Sequence, residues 1–381
     1  MSELALPDPL VFEDGRSVDA ASWPARRAEM LALFEDHVYG RTPVGDVDAT
    51  AEVVEEGDAP GGTARRRQVR LDLTRNGQAL TIDVLLYLPP NGPAPVFVVA
   101  NFDGNHTVQP DEAILLSTGV TRDRPDDVPE RGAKERRFPI DTIVDRGYGL
   151  VTWYYGDADP DVDDGFANGA HPLFYSDGQT SPDPDQWGSV GAWAWGNSRV
   201  LDHLLADPDV DGERVIVGGH SRLGKAALWT AALDERFAMA FANDSGCTGA
   251  ALSRRRFGEN VAVINTLFPH WFCRNYRCYS NNEASLPVDQ HQLVALVAPR
   301  PVHVASATAD DWADPQGEFL GAHGADPVYR LLGTDGIAVD EQPPPDTASI
   351  GTISYHLRTG DHDLLEADWR HYLDSADQNL G

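Results

Sequence analysis

Residues 214–229 read RVIVGGHSRLGKAALW. An apolar run ends in Gly218 and Gly219, Ser221 follows one residue after His220, and a helix-forming stretch begins at once. A serine exposed on a sharp strand-to-helix turn is a nucleophile elbow, which needs small neighbours because its backbone is strained and the strand and helix approach closely. Gly219 and Gly224 meet that need, although the usual G-x-S-x-G is here G-x-S-x-x-G, with Leu223 in the place of the second glycine. A helix N-cap serine would suit the position equally well. Residues 219–225 also spell G-x-x-x-x-G-K, a phosphate loop. Such a loop needs Ser or Thr after the lysine to hold Mg²⁺, and Ala226 stands there. The serine turn therefore reads as a nucleophile if an acid and a histidine follow.

Both follow, in the order Ser, acid, His of the α/β-hydrolases. An apolar run ends at His356 and leads through Gly360 to His362, whose loop position suits a catalytic base better than the strand position of His356, and an amphipathic helix is expected from Leu364 to Tyr372. The run PVHVASA (301–307) leads to Asp310 and Asp311, and Asp244 ends the run that follows the elbow helix. In so acidic a chain each single Asp reads first as a surface charge, and only position at strand ends lifts these above the rest.

Outward from the elbow, VFVVANF (96–102), YGLVTWYY (148–155) and FAMAFAN (237–243) alternate with helical segments at 191–205 and 223–233. That is βαβ grammar, a mainly parallel sheet with helices on both faces. Before it, residues 20–38 place Trp23, Met30, Leu31 and Phe34 at helical spacing, and segments 63–75 and 78–90 alternate around Asn76-Gly77, a hairpin turn signal. The expectation is one α/β-hydrolase domain over 1–381, a three-layer αβα sandwich. Its helix and hairpin extension spans 1–90 and its catalytic core 91–381. Pro- and Asp-rich stretches near 121–130, 156–165 and 181–186 read as long loops over the sheet.

Sixty acidic residues against 30 basic ones give a net charge of -30, which repels nucleic acids and anionic membranes. Asp outnumbers Glu 43 to 17, and Lys134 and Lys225 are the only lysines. This texture points to adaptation to high salt, where the Debye length falls to about 3 Å at 1 M and self-repulsion fades. Neither a signal-peptide pattern at residues 1–15 nor an apolar run of 18 residues occurs. The chain reads as soluble and cytoplasmic, or secreted if a native signal has been removed, with a monomer favoured. Cys247, Cys273 and Cys278 allow at most one disulfide, and Cys273 and Cys278 are expected to pack as buried thiols. Neither H-E-x-x-H nor a paired-cysteine motif occurs, so no metal or other cofactor is expected.

Residues 219–225, with SGCTGAALSRR (245–255), FGE (257–259), DDWADP (310–315) and YHLRTGDH (355–362), resemble the glucuronoyl esterases of carbohydrate esterase family 15. The resemblance runs from about residue 95 to the C-terminus. It implies Ser221 as nucleophile, His362 as base, and an acid at Asp244, at Asp310 or at both, with Asp310 favoured because Asp244 is one carbon shorter than the Glu common in relatives. It also implies that Arg222, Lys225, Glu259 and Trp312 contact a uronic acid ester, with the oxyanion held by Arg222 and a second donor from the 101–105 loop. Thr248 stands where the family resemblance leads one to expect glycine. Acetyl or other carbohydrate esters, or a non-catalytic phosphate-binding role, are the competing readings. Unfolding followed across a salt series is expected to show stability rising with salt; full stability at low salt would remove the halophilic reading.

Overall fold

Alternating residues build the antiparallel flank of the sheet. Strands β1 (Asp48–Asp58), β2 (Arg65–Arg75) and β3 (Gln78–Leu88) form a meander. Asn76 and Gly77 take φ of +52° and +76° between β2 and β3, as a two-residue primed turn requires. β1 carries no burial signal because its residues are mostly exposed; it is fastened by its ladder to β2 and by cross-strand pairs such as Glu55–Arg66 at 2.6 Å. The computed structural model describes residues 4–117 and 128–381, so the 121–127 part of one expected loop lies outside the described residues.

The parallel part of the sheet follows. β3 pairs antiparallel with β5 (Gly149–Trp153), after which β4 (Ala94–Val99), β6 (Val210–His220), β7 (Met239–Asn243), β8 (Val302–Ala307) and β10 (Ile353–Arg358) run parallel. The short β9 (Thr347–Ser349) closes the far edge, in the order β1-β2-β3-β5-β4-β6-β7-β8-β10-β9. Val215 and Val217 of β6 enter one core with residues of α1 (Trp23–Phe34), α3 (Ser189–Leu204), α4 (Arg222–Leu233), α5 (Val261–Leu267), α6 (Gln290–Ala295) and α7 (Pro315–Leu331). Ile216 enters a second core with α2 (Ile140–Asp145) and α8 (Glu366–Leu380). Successive residues of one strand thus feed opposite faces, which makes three layers.

Two expectations need correction. The C-terminal helix runs to Leu380 rather than ending at Tyr372, because Ser375 and Ala376 are buried and neither Gly nor Pro interrupts it. All three thiols are free, yet Cys278 is exposed while Cys247 and Cys273 are buried. Among the described residues no helix is long and apolar enough to cross a membrane.

The parallel pairing of β6 with β7 sets Gly218 opposite Phe241 and tolerates no side chain there, since a Cβ would lie 1.9 Å from the Phe241 ring. Gly218→Ala is expected to destabilise the fold by about 1–3 kcal/mol, the usual cost of overpacking, as measured by urea unfolding.

Candidate active site

Ser221 is the single residue between β6 and α4, with φ +57° and ψ −132°, a conformation that a β-substituted residue holds only under strain. Its N–H donates to the Asn243 carbonyl at 2.9 Å, locking the turn to the end of β7. A Cβ on Gly219 would sit 2.2 Å from the Leu223 carbonyl oxygen. The second close approach falls at Gly224, where a Cβ would lie 3.1 Å from Gly219 O and from Ser245 Cβ, and Leu223 is buried in the core. This is why the glycine stands one place later than in the usual motif. No side-chain capping bond is made by Ser221.

His362 lies on the loop after β10, with its Nδ1 2.6 Å from Asp310 Oδ2 and 4.0 Å from Asp244 Oδ2. Asp310 is buried while its neighbour Asp311 is exposed. Asp244, at φ +47°, accepts the Asp363 N–H at 3.2 Å. Burial pushes the Asp244 carboxyl well above the usual carboxylate range, and the charges of Glu318, Asp310 and Asp368 add to the rise. The His220 imidazole, 4.4 Å from the His362 ring between centroids, is held neutral by burial.

Arg222 follows Ser221 and donates to Asp161, a buried carboxylate that also accepts from His270 Nε2 at 2.8 Å, Trp271 Nε1 at 2.6 Å and Tyr155 Oη at 2.9 Å. Burial alone would raise the Asp161 pKa, but these donors, His270 and Arg222 foremost, hold it below the usual value. The Arg222 guanidinium lies 5.0 Å from the Trp271 ring centroid. One turn along α4, Lys225 is 3% exposed, with Nζ 2.7 Å from Glu259 Oε2 and 2.5 Å from the Cys247 carbonyl oxygen. It is not a surface lysine, and its charge is met by a carboxylate. Glu259 is aligned by its N–H on the Trp312 carbonyl at 2.8 Å, and the Trp312 side chain stands 48% exposed beside it. Thr248 adopts φ +61°, the glycine-like backbone, steadied by Tyr39 Oη on its carbonyl at 2.6 Å and by Tyr276 Oη at 2.9 Å from its hydroxyl.

Ser221, Arg222, His220 and His362 line a depression of about 260 Å³ that Phe102, Asp103, Lys134 and Arg137 complete. Of the two lysines, Lys134 lines this depression, whereas Lys225, Glu259 and Trp312 lie outside its lining. The Asn101 side chain is spent on Gly104 N at 2.7 Å, Asn105 Oδ1 at 2.7 Å and Thr152 Oγ1 at 3.0 Å, so it shapes the 101–105 loop. Among the described residues Asp244, Asp310 and His362 bring one donor atom each within 4.8 Å of one another, an N,O,O set that a cation could use. The 2.6 Å His362–Asp310 contact is a short hydrogen bond to a buried carboxyl group. Sequence reading left Asp161, Glu318 and Arg358 without roles. Only their burial and partners distinguish them, and in a chain with 43 aspartates the residue type carries no signal.

A serine held on a strained strand-to-helix turn at the centre of this sheet, with histidine and buried carboxylates at the neighbouring strand ends, defines an α/β-hydrolase. The family model for fungal glucuronyl esterases matches residues 174–333. A carbohydrate esterase of an unknown prokaryotic organism is 45% identical over 98% of this chain and 89% of its own length. A solved glucuronoyl esterase from Solibacter usitatus superposes with a TM-score of 0.94 at 43% identity, covering 100% of both chains. A promiscuous family 15 esterase from a marine bacterial metagenome superposes at 0.92 with 45% identity, covering 99% and 97%. The chain belongs to the glucuronoyl esterases, carbohydrate esterase family 15, and is a carboxylic ester hydrolase.

Behind the site, burial pushes Glu318 up to about 7 although Ser306 Oγ, Ser245 Oγ and the Gly246 N–H donate to it. Between its ordinary value of 4.5 and about 7, the folded chain keeps a proton that the unfolded chain has released, so stability falls as pH rises through this window. Glu318→Gln imitates the protonated form. Its stability advantage over the parent in urea unfolding is expected to grow by roughly 3 kcal/mol across that window; a flat difference would show that no buried proton is held there.

Proposed function

We propose that this chain hydrolyses esters between the carboxyl of (4-O-methyl-)glucuronate on xylan and an alcohol of lignin, through an acyl-enzyme on Ser221. The observation that carries the reading is His362 Nδ1 on Asp310 at 2.6 Å, on the rim of the depression that Ser221 lines. With its Nδ1–H hydrogen-bonded to the Asp310 carboxylate, His362 presents Nε2 as base. Ser221 Oγ attacks the C6 carbonyl while its proton passes to Nε2, and the alcohol leaves with that proton. Water then attacks the acyl-enzyme, again through His362, and glucuronate is released. The Arg222 N–H at the start of α4 and its Asp161-anchored guanidinium hold the oxyanion, where one lost donor costs about 3 kcal/mol. Lys225, Glu259 and Trp312 form the sugar side. Asp310 orients the base; Asp244, whose burial favours the neutral acid, supports the loop through the Asp363 N–H.

A relative at 45% identity described as a promiscuous esterase gives weight to a second reading, activity on acetylated or other carbohydrate esters. Rates on benzyl glucuronate against an acetylated xylo-oligosaccharide separate the two, and preference for the acetyl ester would defeat the first. Ser221→Ala is expected to lower kcat by roughly 10⁴-fold or more with the fold retained, and Asp310→Ala to cost far more than Asp244→Ala. Turnover surviving in Ser221→Ala would refute the mechanism.

A further inference from the structure

His362 sits on a short loop that its own sequence does little to stiffen: Thr359-Gly360-Asp361-His362-Asp363 contains a glycine at φ +125° and follows the last residue of β10. That last residue is Arg358, 6% exposed, and the loop is wrapped around its guanidinium. Nη2 donates to the Asp361 carbonyl at 2.8 Å and to the Asp363 carbonyl at 3.0 Å, the carbonyls of the residues on either side of His362. Nη1 donates to the Thr359 carbonyl at 3.2 Å. Nε is held by both oxygens of Asp368 at 3.1 and 3.0 Å. Asp368 is in turn fixed by His356 Nε2 at 2.9 Å and the Leu365 N–H at 2.8 Å, which ties β10 to the first turn of α8.

We infer that Arg358 is the positioning residue of the catalytic base, holding the 359–363 loop so that His362 keeps its Nδ1 on Asp310 and its other nitrogen toward Ser221. Only a planar fork reaches this set of acceptors: a lysine ammonium is one point charge and cannot meet Asp368 and three carbonyls together. Asp363 completes the clamp, its carbonyl also accepting from Asn243 Nδ2 at 2.9 Å and its carboxylate pairing with Arg136 and Arg137 at 2.5 and 2.7 Å. Arg358 Nη2 also lies 3.8 Å from Asp244 Oδ2, and its charge opposes the upward push on that buried acid. The role is through His362, since Arg358 does not line the depression where substrate would sit.

The inference rests on Ser221 and His362 being the reacting pair but not on the identity of the ester. The test is Arg358→Lys, read by labelling of Ser221 with a fluorophosphonate, by kcat and KM on benzyl glucuronate, and by the far-downfield Nδ1 proton resonance of His362. A misplacement of about 1 Å costs up to about 10²-fold. The expected result is a 10- to 100-fold loss in labelling rate and kcat, a KM within about twofold of the parent and loss of the downfield proton. Parent-like labelling with the downfield proton intact, or a loss confined to KM, overturns the inference. If the parent cleaves no uronate ester yet Arg358→Lys slows labelling, the substrate reading fails and this one stands. Should Arg358→Lys not fold, Asp368→Asn keeps the guanidinium, removes its anchor, and is judged by the same readouts.

Discussion

The structure depends on one strained turn. Ser221 carries a side chain at φ +57° because β6 ends on it and α4 starts from it, with no residue between to share the reversal. That conformation costs on the order of 1–3 kcal/mol and persists only when its surroundings over-determine it. Here they do: the Ser221 N–H is bonded to β7, Gly219 admits the Leu223 carbonyl, and α4 is buried almost throughout. The helix N-terminus thereby lies directly beside the serine, so the fold supplies positive potential there.

Around that turn the protein handles charge in a consistent way. Its surface is strongly acidic, yet the cations nearest the serine are each engaged by a carboxylate, Arg222 by Asp161 and Lys225 by Glu259. Such pairs keep a guanidinium and an ammonium at fixed positions in a largely desolvated site, where placement matters more than net charge. The neighbouring acids divide by environment. Asp161 is surrounded by donors and stays ionised, whereas burial and the proximity of other carboxylates push Asp244 and Glu318 upward. A cluster of carboxylates can share one pocket only because not all of them need carry charge.

Both acids at the two neighbouring strand ends were legible as candidates, because strands and their termini show in apolar runs, but which of them meets His362 was not. Asp244 and Asp310 differ by 1.4 Å in distance to His362 Nδ1, a difference set by how β7 and β8 end relative to the β10 loop. Lys225 was legible as unusual, being one of two lysines, while its burial against Glu259 depends on a segment 34 residues away. β1 escaped notice because an exposed edge strand shows no alternation of burial, and α8 was read short because exposed polar residues continue its outer face.

By itself the sequence determined the βαβ alternation of the core, the hairpin at Asn76-Gly77, the elbow with its displaced glycine, and the candidate acids and histidine downstream, since these follow from local periodicity, backbone sterics and motif spacing. Only the tertiary structure decided which carboxylate meets His362, which acids are buried, and that the loop bearing His362 is wrapped around Arg358. Those outcomes depend on through-space distance and desolvation, quantities that are functions of packing between segments far apart in the chain.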